Sequence, residues 1–148
     1  MRLSEIRQGQ QPKTERESLA GLERVLHLTY NTPNGESRQA TLTSRLLNTS
    51  ARIGRDIACA RLASPLSYDD LSTAAQLRAW AYATLAYAII EPPAWLEEAL
   101  EYDEALAFRL YEEVARHERA YFRADVAEGE GEARGPRVEL RALDAPQA

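Results

Sequence analysis

In the stretch RVLHLTY, Leu26, Leu28 and Tyr30 alternate with Val25, His27 and Thr29, so an extended chain carries the two sets on opposite sides. That period of two predicts a strand. The following NTPNGES brings Pro33, Asn34 and Gly35, which preset or tolerate turn dihedrals, and RQATLTSRL resumes a Thr-rich alternation. Together they predict a β-hairpin over 24–46. Two strands alone are marginal in water, so the hairpin is expected to lie on apolar helices or to join a small antiparallel sheet.

Beyond the hairpin the apolar period lengthens. Asn48, Thr49 or Ser50 can cap a helix over about 50–62, in which Ile53, Ile57 and Ala60 or Arg61 recur at helical spacing, and Gly54 weakens it by about 1 kcal/mol. Pro65 breaks the chain, and Ser67 or Asp69 can cap a second helix over 69–91 that stops at Pro92 and Pro93. One stripe of that helix is Ala74, Leu77, Ala81, Leu85 and Ala88, and another is Trp80, Ala83, Tyr87 and Ile90. A helix apolar around most of its circumference belongs in the middle of a core or at the seam between a core and a partner. Trp95, Leu96, Ala99 and Leu100 then read as a short apolar turn, and Asp103 opens a last helix over 103–124. Its Leu106, Leu110, Val114 or Glu113, His117 and Tyr121 share one face, with Phe108, Tyr111, Ala115 and Phe122 on the neighbouring one. Glu112 and Arg116 stand four apart on the charged side, in the favourable order. The fold class predicted is α+β, an N-terminal hairpin or small antiparallel sheet packed on a mainly α-helical C-terminal region. Residues 1–18, polar and without an apolar period, read as a flexible arm, 19–124 as a single compact domain, and 125–148 as an acidic flexible tail.

Composition narrows the class without naming a chemistry. At 148 residues and 45% hydrophobic content the chain has the size and substance of one ordinary domain. A net charge of -5 argues against indiscriminate binding to nucleic acid or an anionic membrane. Cys59 is the only cysteine, which excludes an intramolecular disulfide and a cysteine-based metal site and suits a cytosolic protein. The first residues lack the apolar core of a signal peptide, so export by that route is not expected. The apolar run over 79–90 is twelve residues long, against roughly 20 for a spanning helix, and is expected inside the protein.

No catalytic motif is found. GEGEARG lacks the Lys and Ser or Thr of a phosphate loop and sits in an acidic tail. His27 and His117 are far apart, and HER does not have the spacing that puts two zinc ligands on one helical face. Cys59, among the small residues of IACARL, reads as a core thiol, with Arg55 and Arg61 the only nearby groups that would favour a thiolate. Asp69 with Asp70, or Glu97 with Glu98, could be imagined as an acid–base pair, but acidic residues favour helix starts for electrostatic reasons alone. Arg38, Arg45, Arg52, Arg55 and Arg61 form a local basic run that could touch phosphates, yet no aromatic is interleaved to stack on bases. Solvated or salt-bridged arginines explain it as well. No enzymatic activity, cofactor or metal is expected. What remains is a surplus of aromatics in the helical half, which serve either as its own core or as anchors of an interface. The candidate partner-binding residues are Trp80, Tyr87, Trp95, Tyr111, Tyr121 and Phe122, with Trp95, Tyr121 and Phe122 facing outward at helix ends.

The order of elements, a Thr-rich hairpin, the helix DDLSTAAQLRAWAYATLAYAII, the stop EPPAWL, the helix YDEALAFRLYEEVARHERAYFRA and an acidic tail, resembles the tail assembly chaperones of long-tailed bacteriophages. The resemblance covers roughly residues 24–124. It is carried by Pro93-Ala94-Trp95 as a Pro-x-Trp stop, by Asp103 to Val114 as the following helix pattern, and by the pair Tyr121 and Phe122. It implies a non-catalytic protein of the host-cell cytoplasm that binds the tape-measure protein, keeps it soluble and helps tail-tube subunits polymerise around it. The competing expectation is a structural protein of the virion, a head-to-tail joining or tail component retained in the particle. Self-association through unpaired strand edges is compatible with either.

Overall fold

The computed structural model describes residues 2–7 and 19–128, the last five without their side chains. The chain is α+β. Strand β1 (Glu23–Asn31) and strand β2 (Ser37–Arg45) form the hairpin, paired antiparallel from Glu23↔Arg45 to Asn31↔Ser37. Its turn is closed by the Thr32 N–H donating to Glu36 O at 2.8 Å, and Gly35 takes a φ of 94°, which a side chain would resist. Leu26 and Leu42 are buried, and Leu28, Tyr30 and Ala40 pack behind them, while Val25, His27 and Thr29 face outward.

Four further helices follow: α2 (Thr49–Ala63), α3 (Thr73–Ala88), α4 (Ala94–Tyr102) and α5 (Glu104–Glu128). Asn48 caps α2 by accepting from the Ala51 N–H at 2.8 Å. Asp103 caps α5 through the Leu106 N–H at 3.1 Å, each satisfying a donor that the first turn leaves free. Helix α3 is the centre of the molecule. From Ala79 to Ala88 only Trp80 and Tyr82 escape full burial, so the apolar stretch is core around nearly its whole circumference.

Several expectations are corrected. The helix expected over 69–91 begins at Thr73, capped by Ser72, and a 3-10 turn at Tyr68–Asp70 occupies the earlier residues. It ends at Ala88 because Ile89–Ile90 leave it as a third strand, β3, pairing Thr43↔Ile90 and Ser44↔Ile89. Pro92 disfavours helical geometry at Glu91, which takes a φ of 47° as the chain turns. The apolar turn expected at Trp95–Leu100 is the nine-residue helix α4, with Leu96 and Leu100 buried. Helix α5 continues through Glu128, past the boundary expected at 124.

Helix α2 is rotated from the expected face. Ile53 and Ile57 are 56% and 54% exposed, and Ala58, Cys59 and Ala63 turn inward. The cause is close packing: a Cβ on Gly54 would lie 2.8 Å from the Tyr87 ring, so α3 approaches α2 over small residues and the isoleucines are left outside.

The N-terminal residues also depart from the expected arm. Leu3–Arg7 form a short helix, α1, whose Leu3 and Ile6 are each 1% exposed. Arg7 donates to Ala86 O at 2.7 Å, a carbonyl in the last turn of α3, and Arg61 donates to Ile6 O at 2.7 Å. Burial lowers the pKa of the Arg7 guanidinium, with Glu97 and Tyr87 acting in the opposite direction. The remainder of the expected arm, 8–18, and the expected tail from 129 onward lie outside the described residues.

Candidate binding surface

The six aromatic candidates do not converge on one groove. Trp80 and Tyr111 do meet, lining a pocket of about 150 Å³ between α2, α3 and α5 together with Arg52, Thr84 and Glu118. The Arg55 guanidinium lies 3.9 Å from the Trp80 ring centroid, a cation–π contact that covers part of the indole. Tyr87 is 7% exposed and points between α2 and α1, its hydroxyl donating to Arg7 O at 3.5 Å. Trp95 stacks on Tyr30 at the far end of the hairpin, with ring centroids 6.2 Å apart. Tyr121 is 2% exposed and sits edge-on to the half-buried Phe122 at 5.0 Å. The outward placement expected of Tyr121 is therefore corrected, because His117 and Tyr121 continue the buried stripe of α5, and His117 Nε2 lies 2.8 Å from Gly21 O.

A different surface was not foreseen from the sequence. Between β1 and α5 runs an open groove of about 790 Å³, lined by residues 24–28 of the strand and by Leu106, Phe108, Arg109, Leu110, Glu112, Glu113 and Arg116 of the helix. Five consecutive strand residues line it because the groove meets the edge of β1 rather than one face. In the sheet order β1-β2-β3, that edge has no neighbouring strand among the described residues. The register says which groups it offers. The bonds Leu46 N–H to Leu22 O and Thr32 N–H to Glu36 O place the even-numbered residues of β1 in hydrogen-bonded pairs with β2. By the antiparallel alternation, the backbone N–H and C=O groups of Val25, His27 and Thr29 point to the open side.

The groove is held at one end by Arg24, which donates to Glu113 O at 3.5 Å and lies 3.2 Å from its carboxylate. Arg116 meets the same carboxylate at 2.6 Å, and Glu112 is 3.9 Å from Arg119. Arg109, exposed on the same helix, has neither a hydrogen bond nor an ion pair among the described residues. At the other end the Tyr30 hydroxyl donates to Asp103 at 2.9 Å, and that hydrogen bond, with burial, holds the phenol above its ordinary pKa.

The remaining candidate groups are engaged elsewhere. Arg38 pairs with Glu36 at 2.7 Å, Arg45 with Glu23 at 2.8 Å, Arg52 with Glu118 at 3.6 Å and Arg55 with Asp56 at 3.5 Å, so the basic run is spread over the hairpin and α2. Cys59 is 4% exposed and burial raises its thiol pKa, with Asp56 adding to the effect. A second cavity of about 340 Å³ opens between Ile6, Leu62, Ala75 and Tyr82, beside the Arg78–Glu104 ion pair. Among the described residues no three His, Cys, Asp or Glu side chains are grouped to hold a metal ion. No helix among them is long and apolar enough to cross a membrane. Comparison with known proteins finds no matching family model, no similar curated protein and no similar solved structure.

Proposed function

We propose that this chain is a non-catalytic binding protein that acts as a tail assembly chaperone, holding the tape-measure protein of a long-tailed phage soluble while tail-tube subunits polymerise around it. The observation that carries the reading is the open groove of about 790 Å³ whose walls combine apolar side chains, opposite charges and an unpaired strand edge. Such a mixture can hold many segments of a long client weakly. The order of hairpin, apolar helix, Pro-x-Trp stop and Asp103-headed helix supports the same reading through its resemblance to that family.

Co-expression of the tagged chain with its neighbouring genes, affinity capture, mass spectrometry and light scattering test the proposal. Recovery of one very long helical protein in a soluble complex is the expected result. Recovery of tube or capsid subunits alone, with this chain present in purified particles, would replace it by the virion-component reading.

A further inference from the structure

Resting on the reading of the chain as a binding protein, we infer that the groove between β1 and α5 takes an extended segment of the client, which adds to β1 as a fourth strand and places an acidic side chain against Arg109. The backbone supplies the first argument. Val25, His27 and Thr29 direct their N–H and C=O groups to the open side, and a strand edge of this length is a template for another extended chain.

Width supplies the second. A single arginine side chain, Arg24, bridges from β1 to the backbone and carboxylate of Glu113 on α5. An added strand lies about 4.8 Å from β1 along the hydrogen-bond direction and packs its side chains against the helix layer as β1 does, whereas a helix needs a channel of its own of roughly 10–12 Å.

Charge supplies the third. The walls carry Arg24, Arg109 and Arg116 against Glu112 and Glu113, and all of these except Arg109 are already paired. Arg24 and Arg116 share the one carboxylate of Glu113, so the walls stay net positive, and Arg109, without an ion pair, leaves a positive charge for the occupant to answer. A second copy of this chain answers it poorly: antiparallel pairing of β1 about its midpoint sets His27 opposite His27 and brings two Arg109 side chains to one groove. A single extended segment with apolar residues at alternate positions on the side facing Phe108, and an acid toward Arg109, meets neither obstacle.

The test is selection of a displayed library of random short peptides on the full chain, followed by amide exchange with the best synthetic binder. The expected binders alternate apolar and polar residues and carry an acidic group. They slow exchange at Val25, His27 and Thr29 by at least about tenfold, and Arg109→Glu weakens them by roughly tenfold while the fold, read by circular dichroism, is unchanged. N-methylation of the alternate peptide amides that face β1 abolishes binding, and methylation of the other set does not. Binders with a helical period, loss of binding on methylating either set, or no enriched binder would overturn the inference. So would protection of the same three amides without peptide, whether it rises with protein concentration, meaning a second copy, or disappears on deleting 129–148, meaning the chain's own C-terminal residues. Soluble recovery of the long client despite any of these results keeps the chaperone proposal and removes only the strand-addition mode.

Discussion

Gly54 looks like a weakness on the sequence, a residue that costs a helix about 1 kcal/mol relative to alanine. A Cβ there would sit 2.8 Å from the Tyr87 ring, which reverses that judgement. Gly54→Ala is expected to destabilise the fold by about 1–3 kcal/mol despite the better helix former, because the buried Tyr87 ring must shift to admit the methyl group; urea titration of the two proteins measures it. Cys59 gives a second prediction at this scale. Its burial and raised pKa keep the thiol protonated beyond the ordinary range, so a disulfide reagent at neutral pH should modify it only as fast as the protein opens, and readily in denaturant. Rapid stoichiometric labelling of the native protein would contradict this. The core role of Cys59 was legible from its small apolar neighbours. The role of Gly54 was not, because the ring it admits comes from 33 positions further along the chain.

The elements show which sequence signals carry through and which fail. Alternation in RVLHLTY and the buried stripe from Leu106 to Tyr121 are both regular, and β1 and α5 follow them. The run from Ala79 to Ile90 has no polar face to reveal where a helix gives way to a strand, so β3 was hidden inside it. Helix α1 was hidden for another reason: Leu3 and Ile6 are two apolar residues in a polar setting, and only the surface formed by α3 and α2 makes them a helix worth burying. Replacing both by alanine should cost about 4–10 kcal/mol, the usual loss for two buried aliphatic side chains, measured as a fall in the denaturation midpoint. A shift near zero would show that α1 contributes little.

The joint between hairpin and helices depends on Asp103, which accepts from both the Leu106 N–H and the Tyr30 hydroxyl. Asp103→Ala should cost about 1–2 kcal/mol through the lost cap alone. The same joint fixes an alkaline response. Tyr30 and Tyr82 have raised pKa values, Tyr30 mainly through the Asp103 hydrogen bond and Tyr82 mainly through burial. In the unfolded chain these phenols release their protons first, so their contribution is fully present below the ordinary tyrosine value of about 10 and is lost as pH rises through the higher folded values. Stability should therefore fall above pH 10, and Tyr30→Phe with Tyr82→Phe should flatten that part of the curve.

At the scale of the molecule, fold class was readable because each half of the chain announces its own period. The binding surface was less so. Trp80 and Tyr111 share a small pocket, but the core takes Tyr87 and Tyr121, and Trp95 is spent on Tyr30. Abundance of aromatics says that something large is buried and not whether a partner or the protein buries it. The groove between β1 and α5 depends on strand order and on where a helix some 80 residues later comes to rest, and no local pattern encodes either. Its charges were visible only as part of an amphipathic helix, since pairing to Arg24 decides which arginine is left over.

The central claim is that the chain binds a long client and keeps it from aggregating. The direct measurement is the soluble fraction of the tape-measure protein, expressed with and without this chain and followed by sedimentation and light scattering. The client, insoluble alone, is expected to appear in a soluble complex of defined mass, and Arg109→Glu to reduce its yield. A client equally insoluble in the presence of the folded chain, with no complex at any ratio, would contradict it.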